Sequence, residues 1–159
     1  MAKAPEISRE TTLFVRDHCL CLRAQRAARA LARRFDEALR PLGLTNGQFS
    51  LMMSLNRPEA VAMRAIASEL CMDRTTLTAA LKPLERRGLV ESRSHPTDRR
   101  SRLLALTAEG KSLLTRAVPI WQRTHTEIDR TLADDRPDPL GHDLRAISFA
   151  SGPSRRPAS

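Results

Sequence analysis

The chain has 159 residues, about one domain's worth, and its 41% hydrophobic and 28% charged content suits a single soluble folding unit per subunit. Aromatics make up only 3% and tyrosine is absent, so the core must be built from Leu, Ala, Ile and Val. The formal net charge of +9, carried almost entirely by arginine, points to a polyanionic partner. No apolar run approaches the roughly 18–20 residues of a membrane span and no signal-peptide core is evident, so a cytoplasmic protein is expected.

From Thr11 to Leu42 an apolar stripe recurs every 3.5–3.6 residues through Phe14, Cys21, Ala24, Ala28, Leu31, Phe35 and Ala38. The pattern predicts one long amphipathic helix ending near Pro41 and Gly43, longer than a small domain's own core requires. Part of the stripe is therefore expected to meet a second subunit. Thr45-Asn46-Gly47-Gln48 carries a capping-box pattern ahead of Phe49, Leu51, Met52, Met53 and Leu55, which predicts a second helix stopping before Pro58. A third helix fits Met63–Leu70, with Ile66, Ala67 and Leu70 inward. Cys71-Met72 then reads as a tight turn, Asp73 as a cap, and Arg74–Arg87 as a fourth helix ended by Gly88.

Leu89–Ser94 and Arg102–Leu106 are strand candidates joined by a polar, basic segment, residues 95–101, and together predict a β-hairpin. Thr107 caps a further long helix bearing Leu113, Leu114, Ala117, Ile120, Trp121, Ile128 and Leu132, with Pro119 expected to kink it. Asp134–Pro139 reads as a break and Leu140–Phe149 as a last short helix. The Ser/Pro/Arg-rich residues 150–159 read as a disordered tail.

A short helix, a tight turn, a capped helix and a basic hairpin, in that order, form the layout of a winged helix-turn-helix, whose second helix enters the major groove. The expected architecture is mainly α with a small β-hairpin wing. Residues 45–106 would form the DNA-binding lobe, and 11–42 with 107–149 the helical dimerisation region. On the fourth helix Leu77, Ala80, Leu81 and Leu84 face inward. Arg74, Thr75, Thr76, Thr78, Ala79 and Lys82 are left nearer solvent, where Arg suits guanine edges and Thr suits phosphate or a thymine methyl. In the hairpin, Arg99, Arg100 and Arg102 cluster beside Asp98, and an arginine at such a tip suits a narrow minor groove.

Three blocks make the resemblance specific: Leu84-Glu85-Arg86-Arg87-Gly88-Leu89-Val90, then Asp98-Arg99-Arg100, then Leu104-Ala105-Leu106-Thr107-Ala108-Glu109-Gly110. In this order and spacing they resemble the signature of the multiple antibiotic resistance regulator (MarR) family, over roughly residues 14–132. The resemblance implies a triangular homodimer held by the first and the last two helices, with Asp98 and Arg100 at the matching wing positions. It also implies a pseudo-palindromic operator and repression relieved by a small, often phenolic or carboxylate, effector. Pro83 inside the recognition helix and the shortened polar C-terminus depart from the family pattern.

Effectors of similar proteins often sit between the dimer helices and the DNA-binding lobe, where this sequence offers Arg16, His18, Cys21, Leu22, Phe49 and Met53 as lining. Three cysteines, Cys19, Cys21 and Cys71, are an odd count without a paired CxxC framework, so reduced thiols are expected, with no structural zinc and no cofactor. Within one intact helix Cys19 and Cys21 would point to nearly opposite faces. Arg23, one turn after Cys19, favours its thiolate, which makes Cys19 the candidate redox sensor. An enzyme is disfavoured, because no carboxylate pair, phosphate loop or nucleophilic triad is evident. A nonspecific nucleic-acid binder or RNA-binding structural protein is the remaining alternative, set back by the scarcity of aromatics for base stacking.

Overall fold

The computed structural model describes residues 6–94, 101–132 and 137–149. Seven α-helices are described: α1 (Arg9–His18), α2 (Leu20–Leu39), α3 (Asn46–Ser54), α4 (Met63–Glu69), α5 (Arg74–Arg86), α6 (Ala108–Asp129) and α7 (Pro137–Phe149). Three short strands, β1 (Val61–Ala62), β2 (Val90–Ser94) and β3 (Arg102–Leu106), form an antiparallel sheet in the order β1-β3-β2. The mainly helical fold with a small β wing is the one the sequence predicts.

The expected single N-terminal helix is broken. Cys19 leaves the helical region (φ −70°, ψ 107°) and becomes the N-cap of α2, its Sγ accepting the Leu22 N–H at 3.4 Å. His18 folds back to place Nδ1 2.8 Å from the Phe14 carbonyl, and the Arg23 guanidinium reaches across the break to the Asp17 carbonyl. Cys19 and Cys21 are thus not two positions of one intact helix, and helical rotation does not set them on opposite faces. At the other end, α2 tightens into a 3₁₀ turn (Arg40–Leu42) that closes on Gly43 in the left-handed region, φ 62°. Along this arm, Phe14 is 62% and Leu20 71% exposed, and only Phe35 and Leu39 are buried. Most of the apolar stripe is therefore left exposed among the described residues.

The core gathers around Leu39 and Leu44, then Leu51, Met52 and Leu55 of α3, Ile66 of α4, and Leu77, Leu81 and Leu84 of α5. Leu104 and Leu106 of β3 and Leu113, Leu114 and Ala117 of α6 complete it. The capping box of α3 is formed as its sequence indicates: Thr45 Oγ1 accepts the Gln48 N–H at 3.2 Å and Gln48 Oε1 accepts the Thr45 N–H at 3.0 Å. Strand β1 was not expected from the sequence. Its two residues pair Val61 with Leu104 and Ala62 with Leu103, across the whole of α4, α5 and β2. Two residues carry too little periodicity to announce a strand.

Helix α6 is capped by Thr107 and runs on through Pro119. Gly110 in its first turn packs directly on the chain after α5, where an added Cβ would lie 2.1 Å from the Leu89 carbonyl oxygen. Helix α7 begins at Pro137, inside the segment expected to be a break. Prolines are tolerated in a first turn, whose N–H groups have no helical acceptor in any case. Leu140, Leu144, Ile147 and Phe149 of α7 are exposed. The expected tail lies outside the described residues.

Candidate nucleic-acid interface

The turn between α4 and α5 is closed by the Met72 N–H on the Ala67 carbonyl at 2.8 Å, with Cys71 held in the left-handed region at φ 51°. Such a φ is uncommon for a residue with a Cβ, and it marks a sharp reversal that aims the next helix. Asp73 then caps α5: Oδ1 accepts the Thr76 N–H at 2.8 Å and Oδ2 accepts the Thr76 hydroxyl at 2.6 Å. Leu77, Leu81 and Leu84 fix the rotation of the helix by burial. Arg74, Thr75, Ala79, Lys82 and Arg86 are left exposed.

The polar side chains predicted on this helix divide into two groups. The Thr76 hydroxyl is committed to the cap, and the Thr78 hydroxyl donates to the Arg74 carbonyl at 2.7 Å, so both are engaged within the helix. Thr75 and Lys82 fall on one stripe with Ala79 and Arg86, at i, i+4, i+7 and i+11, and Arg74 begins the helix beside them. Arg86 was not singled out from the sequence, although its place one turn beyond Lys82 was legible there.

The hydrogen bond from the Thr76 hydroxyl, above all, holds the Asp73 carboxyl below its usual pKa. A carboxyl depressed in the folded state stabilises the fold at pH above its unfolded value, and that stabilisation is lost as pH falls through the folded value. Asp73→Ala is therefore expected to lower the thermal midpoint at neutral pH. The gap from the unsubstituted protein should begin to narrow only below the ordinary value of 3.8. Circular dichroism melts from pH 7 downward check this, and a gap independent of pH would contradict it.

The wing is the β2–β3 hairpin, in register from Val90 opposite Leu106 to Ser94 opposite Arg102. Arg102 Nη2, at the tip-side end of the hairpin, lies 3.4 Å from Glu85 Oε1, which ties the wing to the last turns of α5. Asp98, Arg99 and Arg100 lie outside the described residues.

The expected effector residues are distributed over three helices. Arg16 is paired with Asp17 at 2.7 Å, an interaction whose hydrogen bond raises the arginine pKa and lowers that of the carboxyl. His18 stacks on Phe14, with ring centroids 4.2 Å apart. Cys21 is exposed and its Sγ accepts from Gln25 Nε2 at 3.3 Å, while Leu22 is half-buried. Phe49 belongs to the core, stacked near Trp121 at 6.3 Å, whereas Met53 on the same helix is exposed. Cys19 is half-buried at the α1–α2 break, and Cys71 is exposed, with its Sγ donating to the Ser148 carbonyl at 3.8 Å.

A capped helix presenting a polar stripe, set behind a tight turn and followed by an antiparallel wing, defines a winged helix-turn-helix DNA-binding protein. A family model described as MarR family matches residues 44–101. The organic hydroperoxide resistance transcriptional regulator of Bacillus subtilis (strain 168) is 30% identical over 101 residues, covering 64% of this chain and 69% of that protein. Among solved structures, M. tuberculosis MosR in complex with DNA is similar at 34% identity and a TM-score of 0.76, over 84% of this chain and 96% of that one. The transcriptional repressor CouR bound to a 23-mer DNA duplex is similar at 29% identity and a TM-score of 0.75, over 91% and 99%. The chain belongs to the MarR family of transcriptional regulators. Among the described residues, no helix is long and apolar enough to cross a membrane.

Proposed function

We propose that this protein is a cytoplasmic, homodimeric repressor that binds a pseudo-palindromic duplex operator and leaves it when a small effector binds. The observation that carries the reading is the exposed face of α5, where Arg74, Thr75, Lys82 and Arg86 are held outward by the Asp73 cap and a buried leucine stripe. Each subunit's lobe, residues 45–106, would place this face in the major groove and the wing residues Asp98, Arg99, Arg100 and Arg102 at the minor groove. The arms, residues 11–42 and 107–149, would hold the dimer together. Their Phe14, Val15, Leu20, Leu31, Leu144 and Ile147 support this, being large apolar side chains left exposed on a single chain. The protein acts by binding alone, without catalysis.

The effector would enter between the arm and the lobe, against Arg16, His18, Cys21, Leu22 and Met53, with Phe49 as core support. A phenolic carboxylate or a thiol-reactive molecule suits these side chains. A thiol route through Cys19 is favoured by its place as the cap on which α2 begins, and by similarity to a relative named for organic hydroperoxide resistance.

The test is an anisotropy titration of the full chain against the DNA upstream of its own gene, with nonspecific duplex as competitor. Saturable, competitor-resistant binding at two chains per duplex is expected. Equal affinity for any duplex would leave a nonspecific nucleic-acid binder instead. Challenge of the same complex with an organic hydroperoxide should release the DNA, and Cys19→Ser should keep it bound. Release that is unchanged in the variant removes Cys19 from the mechanism.

A further inference from the structure

We infer that Arg87 is a positioning residue that fixes the angle of the recognition helix against the dimerisation arm, and thereby sets the half-site spacing the protein accepts. The inference rests on the dimeric operator-binding reading above.

Arg87 is the C-cap of α5, its own N–H still bonded to the Pro83 carbonyl at 3.2 Å. Its side chain leaves the lobe and grips the end of the arm. Nη1 donates to the Gly43 carbonyl at 2.6 Å and Nη2 to the Leu42 carbonyl at 3.3 Å. These carbonyls terminate the α2 arm, where the chain turns through Gly43. The final carbonyls of a helical segment carry its negative dipole end, and a planar guanidinium is the side chain whose fork spans two adjacent acceptors. The guanidinium lies directly over Gly43, 3.6 Å from where a Cβ would stand.

The other arm is tied to the same turn. Thr107, at the start of α6, donates its hydroxyl to the Gly88 carbonyl at 2.6 Å and its N–H to the Leu89 carbonyl at 3.2 Å. The three residues that follow α5 are therefore pinned between the end of α2 and the beginning of α6, the two helices that extend into the dimerisation arms. The opposite end of α5, by contrast, is exposed, and its side-chain hydrogen bonds among the described residues stay within its own cap and first turns.

This makes α5 a lever with its pivot at Arg87. The helix has 13 residues, and at 1.5 Å per residue it is about 20 Å long. A tilt of about 10° at the pivot displaces Arg74 by about 3 Å, close to the rise of one base step. With two ties the angle is fixed. Without Arg87 the helix remains packed through Leu77, Leu81 and Leu84 and held by the Thr107 and Arg102–Glu85 contacts, but it loses its hold on the end of α2 and gains freedom to tilt.

The experiment uses the full chain and an operator selected by that chain from a random duplex pool. Two derivatives of this operator carry one base pair more or one fewer between the half-sites. The unsubstituted protein is expected to bind both derivatives at least about tenfold more weakly than the operator itself. Arg87→Ala should bring the three affinities to within about fivefold of one another, below the usual range for coupled elements. Arg87→Lys, which keeps the charge but donates from a single point, should restore part of the discrimination. If Arg87→Ala does not fold, as judged by its thermal melt, the Lys and Gln variants carry the test, with discrimination expected in the order Arg, Lys, Gln. Discrimination undiminished in the Ala or Gln variant, or affinity lost equally for all three duplexes, overturns the role. Failure of the unsubstituted chain to enrich any duplex would instead sink the DNA-binding reading, and this inference with it, before a variant is measured.

Discussion

Gly110→Ala is expected to destabilise the protein by about 3 kcal/mol or more, against the direction that helix propensity alone would give. In an ordinary helix position, alanine gains about 1 kcal/mol over glycine. Here the new methyl group would stand 2.1 Å from the Leu89 carbonyl oxygen, 3.1 Å from its carbon and 3.2 Å from Leu106 Cδ2. The first obstacle is main chain, and it cannot rotate away. It also accepts the Thr107 N–H at 3.2 Å, so relief would require moving the turn after α5 together with the cap of α6. For a chain of this size the loss corresponds to a fall of about 6–12 °C in the melting midpoint. Gly47→Ala is the internal control: nothing lies within 4 Å of its added Cβ, so the midpoint should hold or rise slightly. Equal midpoints for the two variants would show that α6 does not approach Leu89 this closely.

The second large effect is on binding. Each chain carries a formal charge of +9, and arginine-to-phosphate contacts release counterions from the duplex. If the dimer makes six to ten such contacts, operator affinity should fall by about a thousandfold or more between about 50 and 200 mM salt. Side chains that read bases and side chains that hold phosphates then separate by experiment. Arg100→Ala should weaken binding by about 1–3 kcal/mol if it enters the minor groove. Replacing Lys82 or Arg86, which we propose as phosphate-holding residues, should weaken all sequences alike and reduce the salt slope by about one unit. Titrations at four salt concentrations measure both quantities. A flat salt dependence would rule out phosphate contacts as the main source of affinity.

The parts of the fold that were legible in the sequence are those whose signal is local. The capping box at Thr45, the Asp73 cap, the Gly88 stop and the Thr107 cap each declare a helix end within four residues, and the structure forms all of them. The leucine stripe of α5 was legible for the same reason. What was missed depends on nonlocal or marginal effects. The break at Cys19 has neither glycine nor proline to announce it; it rests on a thiol cap, a histidine folding back and an arginine crossing the gap. The start of α7 was hidden by prolines that read as a break but fit a first turn. On the recognition helix, sequence gave the exposed face but not which hydroxyls were free, because Thr76 and Thr78 could be seen to bond within the helix only once its geometry was known. The role inferred for Arg87 was out of reach too, since its partners lie more than forty positions away.

The pairing of Val61 with Leu104 has a bearing on when the protein becomes competent. The two residues of β1 precede α4 and α5, but their partner strand follows both. The helix-turn-helix is therefore enclosed in a loop whose ends meet only when β3 arrives, and closing such a loop carries an entropic cost that local helix formation does not recover. During synthesis α4 and α5 are made before Leu104 and Leu106, which belong to the core beneath them. The reading head is thus completed late, by a strand synthesised after it, and a nascent chain stopped before that strand holds the residues for recognition without the frame that aims them.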